Sequence, residues 1–441
     1  MAENTVTRKD FTFLSTDGRT QIHGVAWYND EVKKSPKGIV QLIHGMVEHI
    51  MRYEEFAEYL VGRGYLVVGH DHLGHGDSVV TEDDYGFISE ENPSIALLND
   101  IHRVRKGVKN RYPEPPYFML GHSMGSYLLR RYLSSQGEGL DGAVIMGTGQ
   151  EPEAALAAGL ALIAAETKKR GARYRSDTVK NLTFGAAYKK FDPTHEDVPN
   201  SWLSRDEERV RKYLDDPKCG FVFTLNGYEA LLSTVRFDGQ TKNVKAIPKD
   251  LPIFFVSGEE DPVGNLGKGV KKVYNAFVKA GITDVSCKLY PEDRHEILNE
   301  LDRDVVMADI ADWLDQHLKK PEVPEESEET SENAEEGQEE VAKKTKAAKK
   351  ETVKKETGIF EWFEQHLDRS KDDPEKQELE NIEDGMRRKL SPEEFEMETE
   401  VLRSDSVIPD VSATEKLVGE PGTEKEAEKT KGKSRRNKKK K

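Results

Sequence analysis

The feature that most constrains this chain is its alternation of short apolar runs with helix-period stretches. Gly38 to Ile43, Tyr65 to Gly69, Tyr117 to Leu120, Gly142 to Met146, Pro252 to Ser257 and Val285 to Tyr290 are each nearly continuous apolar runs. Such runs suit strands buried on both faces of a mostly parallel sheet. Helical patterns separate most of them: Tyr53 to Arg63, Ser94 to Lys109, Gly125 to Ser135, Gly267 to Ala280 and Asn299 to Leu318. Phe11 to Leu14 and Gln21 to Tyr28 flank the turn STDGRT and predict an antiparallel hairpin. Together these patterns predict an α/β fold, a mostly parallel central sheet flanked by helices.

Two regions break the rhythm. From about residue 149 to 250 there is no clear strand, and the Ala-rich segment EAALAAGLALIAAE opens the interval. An insertion of this size between two strands is expected to form a helical cap over the sheet's C-terminal edge, where open α/β sheets bind ligands. After Lys320 the chain becomes rich in Glu, Lys, Ala, Ser and Thr and ends KGKSRRNKKKK. The domain boundaries expected are 1–320 for the α/β domain and 321–441 for a charged tail. The tail has too little apolar surface to offset the entropy of ordering, so most of it is expected to be disordered. Within it, IFEWFEQHL (Ile359 to Leu367) echoes IADWLDQHL (Ile310 to Leu318). Coincidence between two short amphipathic helices is the plainer account. The alternative is a tail helix, near 358–367, that docks where the last domain helix docks.

Charge and cysteine usage narrow the function classes. The formal net charge of -16 argues against a whole-protein nucleic-acid binder. The two cysteines, Cys219 and Cys287, lack metal-ligand spacing and suggest no disulfide framework. No apolar secretory segment opens the chain, and no stretch reaches the ~18 apolar residues of a spanning helix. A cytoplasmic protein is expected. Peripheral membrane contact through the cap or the basic C-terminal end is an added expectation, set against a simple solvated tail.

The chemistry is carried by GHSMG, Gly121 to Gly125, a G-x-S-x-G match between the strand YFML and the helical stretch SYLLRRYL. That context predicts a sharp strand-to-helix turn that lifts the Ser123 hydroxyl clear of the sheet. A serine needs a base to take its proton, and the chain order expected on such a sheet is Ser, acid, His. The strand LPIFFVS runs into GEEDPVG, which places Asp261 on the loop just beyond it; Glu259 and Glu260 are neighbouring alternatives. The strand VSCKLY runs into PEDRHEIL, which places His295 before the last helix. HGMVEH, His44 to His49, follows the strand GIVQLI and suits a loop that donates a backbone N–H to an oxyanion. The amides of Met46 and Met124 are the expected donors, a kind of contact worth ~10²–10³ in turnover. His44, Gly45 and His122 are expected to border the substrate. The loop DHLGHGDS, Asp71 to Ser78, has two histidines, but its spacing fits no closed zinc motif, and a wall of the active site is expected instead.

These motifs together resemble the monoacylglycerol lipase and lysophospholipase family, bacterial and animal. HGMVEHIMRY, GYLVVGHDHLGHGDS, GHSMG, GEEDPVG and RHEILNE occur in that family's order, and the likeness runs from about Phe11 to Leu318. FGAAYKKF and SWLSRDEERVRKYLDDPKCGF look like the cap of bacterial members. The resemblance implies an α/β-hydrolase core and a helical cap forming an acyl tunnel. It implies a cofactor-free, metal-free hydrolase of monoacylglycerols, lysophospholipids or similar single-chain esters. It also implies a triad of Ser123, Asp261 and His295 with Met46 and Met124 as oxyanion donors. The long charged tail departs from the family pattern. The apolar segment Ala154 to Ala165 is expected either to pack on the core or to present Leu160 and Leu162 as a lipid-facing rim.

Two other readings stay open. The same machinery serves short-chain carboxylesterases and serine aminopeptidases. An aminopeptidase needs carboxylates for the substrate's amine, and Asp206, Glu207, Glu208, Asp215 and Asp216 are candidates in the cap. A non-catalytic scaffold with a lipid- or partner-binding tail is the reading of another class; the complete Ser–Asp–His set argues against it.

Overall fold

The computed structural model describes residues 5–183, 188, 191 and 200–318. The tail, with its segment IFEWFEQHL, and most of FGAAYKKF lie outside the described residues.

The strands form one eight-stranded sheet in the order β1-β2-β4-β3-β5-β6-β7-β8. They are β1 (Thr7–Leu14), β2 (Gln21–Tyr28), β3 (Gly38–Ile43), β4 (Tyr65–His70), β5 (Tyr117–His122), β6 (Gly142–Met146), β7 (Ile253–Gly258) and β8 (Val285–Tyr290). The β1–β2 hairpin joins the sheet antiparallel through β2 and β4. Every other pairing is parallel. β3 to β7 are buried along their whole length, which is why their sequences are apolar on both faces. β8 differs from the expectation. It is the sheet's edge, and its residues are mostly half-buried, so VSCKLY carries Ser286 and Lys288 without penalty.

The helices supply the outer layers. Among the described residues they are α1 (Asp30–Lys34), α2 (Glu54–Gly62), α3 (Pro93–Arg111), α4 (Met124–Gln136), α5 (Glu153–Arg170), α6 (Asp177–Thr183), α7 (Glu207–Asp215), α8 (Leu225–Asp238), α9 (Thr241–Ala246), α10 (Lys268–Lys279) and α11 (Arg303–Gln316). α11 buries Ile310, Trp313 and Leu314 against the sheet, with the Trp313 ring stacked on Phe254 at 5.6 Å. Gly142 makes room for that ring: a Cβ there would lie 2.8 Å from it. Burial of a side chain this large contributes roughly 1.5–3 kcal/mol or more.

α5 to α9 fill the interval between β6 and β7, the inserted cap. α5 packs on α8 through a narrow stripe of Leu156, Gly159 and Ile163. Ala154, Ala155, Ala158, Ala161, Ala164 and Ala165 face outward. The apolar appearance of this segment therefore reflects alanine's helix propensity on an exposed face as much as burial. Leu162 packs against the main core, and Leu160 is half-buried.

The close approach of α4 to the sheet sets the whole site. A Cβ at Gly125 would lie 2.1 Å from the Ile43 carbonyl oxygen, and one at Gly121 would lie 2.3 Å from that of Gly125. Both obstacles are backbone, so neither can swing aside. Gly125→Ala is expected to cost at least about 1–3 kcal/mol, the scale of overpacking. Urea unfolding measures this; an unchanged midpoint would contradict the packing account.

Candidate active site

Ser123 stands between β5 and α4 with φ 53° and ψ -118°, a left-handed region that costs a non-glycine residue ~1–3 kcal/mol. The surroundings hold it there. Its N–H donates to the Met146 carbonyl at 3.0 Å, and its own carbonyl accepts from the amide of Ser126 at 2.9 Å and from the Ser126 hydroxyl at 2.6 Å. The strand ends where the helix begins, and the serine sits at the corner.

Asp261 and His295 arrive from two loops stitched together by their backbones. The Glu259 amide donates to the Tyr290 carbonyl and the Glu260 amide to the Asp293 carbonyl, each at 2.9 Å. Only the third acid of GEED turns inward. Asp261 is fully buried, and its Oδ2 lies 3.0 Å from His295 Nδ1. The Val263 amide donates to Oδ1 at 2.8 Å, and the Ser257 hydroxyl to Oδ2 at 3.2 Å. Burial pushes the Asp261 carboxyl up, but the charge and hydrogen bond of His295, with the Val263 amide, outweigh it and hold the carboxyl below the usual range. Facing a carboxylate, His295 Nδ1 carries the proton, which leaves Nε2 as a base. The ring lies close to the Ser123 corner: a Cβ on Gly147, the residue after the acceptor of Ser123 N–H, would meet His295 Cε1 at 3.2 Å. Trp202 of the cap packs on the other side, ring centroids 5.2 Å apart, and accepts the His295 amide at 3.3 Å.

The loop after β3 meets the same corner. A Cβ on Gly45 would lie 3.1 Å from Ser123 Cβ. The Met124 amide opens α4 and has no acceptor within the helix. The Met46 amide lies in the turn after Gly45.

His44 and His122, expected to border the substrate, have partners within the protein on both ring nitrogens. His44 is fully buried and both its ring nitrogens are used within the protein. Nε2 accepts the His72 amide at 2.9 Å, so Nδ1 carries the proton and donates it to the Gly45 carbonyl at 2.8 Å. Burial lowers its pKa, consistent with a neutral ring that braces the loop. His122 is enclosed likewise. Its Nε2 faces the His295 carbonyl at 3.2 Å, and its Nδ1 faces Tyr53 Oη at 2.8 Å and Glu48 Oε1 at 3.2 Å. A carbonyl and a carboxylate can only accept, so both nitrogens carry protons. Burial opposes charge on this ring, yet the Glu48 carboxylate raises its pKa above the ordinary value.

Glu48 is the residue that the sequence reading passed over. Its Oε1 accepts the Gly45 amide at 2.6 Å and the Tyr53 hydroxyl at 2.8 Å. Its Oε2 accepts from Arg52 at 2.6 Å, and Arg52 reaches on to Glu296 in a two-pronged pair at 2.7 and 2.6 Å. Charges from the β3 loop, α2's approach, the serine turn and the histidine loop thus meet behind the site. They enclose a cavity of about 10 Å³, room for one water. HGMVEH and RHE contain Glu48 and Glu296 beside the named motifs, but nothing in the pattern says that they share Arg52.

Asp71 of DHLGHGDS makes a similar brace. It takes the Ile50 amide at 2.8 Å, the Asp77 amide at 2.9 Å and His23 at 2.8 Å. His70 and His75 in this region are buried and pushed down to about 3, so they are neutral. The cap carboxylates are dispersed. Asp206 caps α7, Glu208 pairs with Lys212 and Asp216 pairs with His49.

Burial pushes the Glu48 carboxyl up, but His122 and Arg52 outweigh this and hold it well below 4.5. A depressed carboxylate stabilises the fold above its unfolded pKa, and that contribution fades as pH falls through the folded value. Glu48→Gln is therefore expected to lose ~3–5 kcal/mol near pH 7. Its deficit relative to wild type should narrow once pH drops below 4.5. Urea unfolding of both proteins across that range measures it; a deficit independent of pH would contradict the ionised pair.

The comparisons agree with this architecture. Residues 34–302 match the family described as serine aminopeptidase, S33. The chain is 27% identical over 315 residues to a monoacylglycerol lipase of Mycolicibacterium smegmatis, covering 71% of this chain and 99% of that one. It is 26% identical over 291 residues to the human monoglyceride lipase, covering 64% and 84%. Among solved structures, a thermostable carboxyl esterase from Bacillus coagulans, in complex with glycerol, superposes with a TM-score of 0.65 at 28% identity, covering 71% of this chain and 99% of that one. Among the described residues no helix is long and apolar enough to cross a membrane. With the matched region spanning more than half of the chain, this protein belongs to the serine aminopeptidase S33 family, is related within it to monoacylglycerol lipases, and is a hydrolase enzyme of the α/β-hydrolase fold.

Proposed function

We propose that the chain hydrolyses single-chain lipid esters, monoacylglycerols or lysophospholipids, through an acyl-serine intermediate on Ser123. The carrying observation is the strained Ser123 turn beside a buried His295–Asp261 pair at 3.0 Å. Ser123 Oγ attacks the ester carbonyl while His295 Nε2 takes its proton. Asp261 holds the ring with Nδ1 protonated and stabilises the imidazolium. The amides of Met46 and Met124 take the oxyanion. The imidazolium then protonates the leaving alcohol, and water activated by the same ring releases the fatty acid.

The substrate class is supported by the names of the aligned relatives, monoacylglycerol and monoglyceride lipases. The cap, with Leu160 and Leu162 on α5, is the part of the fold available to hold an acyl chain. A short-chain carboxylesterase is the second reading, favoured by the likeness to the Bacillus coagulans esterase. The aminopeptidase reading has less support: Asp216, Glu208 and Asp206 are each paired with a different cation, His49, Lys212 and Arg303.

The test is turnover of a panel by wild type, Ser123→Ala and Asp261→Asn. The panel holds 1-monoacylglycerols, lysophosphatidylcholine, short p-nitrophenyl esters and aminoacyl amides. Wild type should prefer single long acyl chains, Ser123→Ala should be inactive, and Asp261→Asn should lose on the order of 10⁴ in kcat. Turnover confined to short esters would replace the lipase reading with the second one. Turnover that survives Ser123→Ala would overturn the mechanism.

A further inference from the structure

Among the described residues, three groups of metal-ligating side chains stand outside the acyl-transfer machinery, and two of them already hold protein cations. Asp293, Glu300 and Asp302 surround the Arg205 guanidinium, and Asp71 and Asp77 are taken by His23 and Lys218. The third is different. His49, Asp216 and Cys219 offer a nitrogen, an oxygen and a sulfur within 4.8 Å of one another. His49 Nε2 lies 2.8 Å from Asp216 Oδ2, and Cys219 is a free thiol.

The donors are held in place by backbone. His49 follows Met46 in the loop after β3. Asp216 and Cys219 lie in the turn after α7, where the Cys219 amide donates to the Asp216 carbonyl at 3.0 Å and the Lys218 amide to Asp216 Oδ1 at 2.8 Å. The Gly220 amide donates to the Val47 carbonyl at 2.9 Å and ties that turn to the β3 loop. Imidazole, carboxylate and thiolate together suit a borderline-soft, tetrahedral cation and not calcium or magnesium, which take oxygen ligands.

We infer that His49, Asp216 and Cys219 form a binding site for a thiophilic divalent cation of the zinc class, and that the bound ion clamps the cap to the loop carrying Met46. A water completes four coordination. On binding, the Cys219 S–H bond gives way to a metal–sulfur bond and its proton leaves to solvent. The proton that His49 Nε2 donates to Asp216 in the free protein moves by way of solvent to Nδ1, and the freed Nε2 lone pair and one Asp216 oxygen supply the other two bonds. Two anionic donors cancel the ion's charge, so the filled site is neutral. The site joins the cap to the loop beside Ser123, so occupancy should slow ester turnover. This second half rests on the proposed function; the binding itself does not.

The experiment is cobalt(II) titration of the untagged full chain, followed by zinc displacement. One cobalt per chain should give thiolate-to-cobalt charge-transfer absorption and the visible bands of a four-coordinate ion. Cys287→Ala should retain them. Cys219→Ala should lose the charge-transfer band, and zinc affinity should fall at least about tenfold. Zinc should slow short-ester turnover by wild type and leave Cys219→Ala unaffected. No band in wild type, a band unchanged in Cys219→Ala, or loss only in Cys287→Ala would overturn the site. A Cys219-dependent band with full turnover would overturn the clamp alone, and absent turnover in metal-free wild type would count against the proposed function without touching the site.

Discussion

The structure depends on how closely the first turn of α4 lies against the ends of β3 and β5. Side chains at Gly121 and Gly125 would run into backbone carbonyls, so only hydrogen atoms fit there. That contact accompanies a left-handed conformation at Ser123, at the corner between β5 and α4. The cost of the strain is met by a fully buried sheet on one side and helix α4 on the other. The same contact brings the N–H groups that open α4 alongside the loop carrying Gly45 and Met46. The strain at Ser123 and the nearness of the two loops thus follow from one packing constraint.

A second layer fixes what the first leaves free. The His295 loop could in principle drift relative to the β3 loop, because no strand joins them. Arg52 prevents it by holding Glu48 from one loop and Glu296 from the other. His122, charged because it faces a carboxylate and a carbonyl, adds a third tie from the serine turn. Four buried charges in such a place do not by themselves stabilise a protein, since desolvation offsets their attraction. Their value here lies in registering three loops to one another.

Much of this was legible in the sequence, for reasons that can be named. The doubly buried strands wrote themselves as apolar runs, and GHSMG between a strand and a helix carried the turn geometry in its glycines. Glu259, Glu260 and Asp261 all follow β7 and stayed alternatives in the sequence; the structure turns only Asp261 inward. Other features were not legible. VSCKLY resembled a central strand because its polar residues are few, yet it forms the sheet's edge. His44 and His122 stood beside the right residues but spend both nitrogens inside the protein, and only the hydrogen-bond partners reveal that. Glu48, Arg52 and Glu296 are more than 200 residues apart at the extreme, so no local pattern joins them. The Ala-rich cap helix exposes the limit of composition: alanine favours helix whether or not it is buried.

The central claim is that Ser123 is a nucleophile made reactive by His295. Covalent labelling with a fluorophosphonate, read by peptide mass mapping, tests it most directly, because it needs no knowledge of the substrate. Attack by an activated serine forms an oxygen–phosphorus bond and expels fluoride. The account predicts one phosphonyl group per chain, on the peptide carrying Ser123, and no labelling of His295→Ala over the same interval. Labelling of another residue, or equal labelling of His295→Ala, would contradict it.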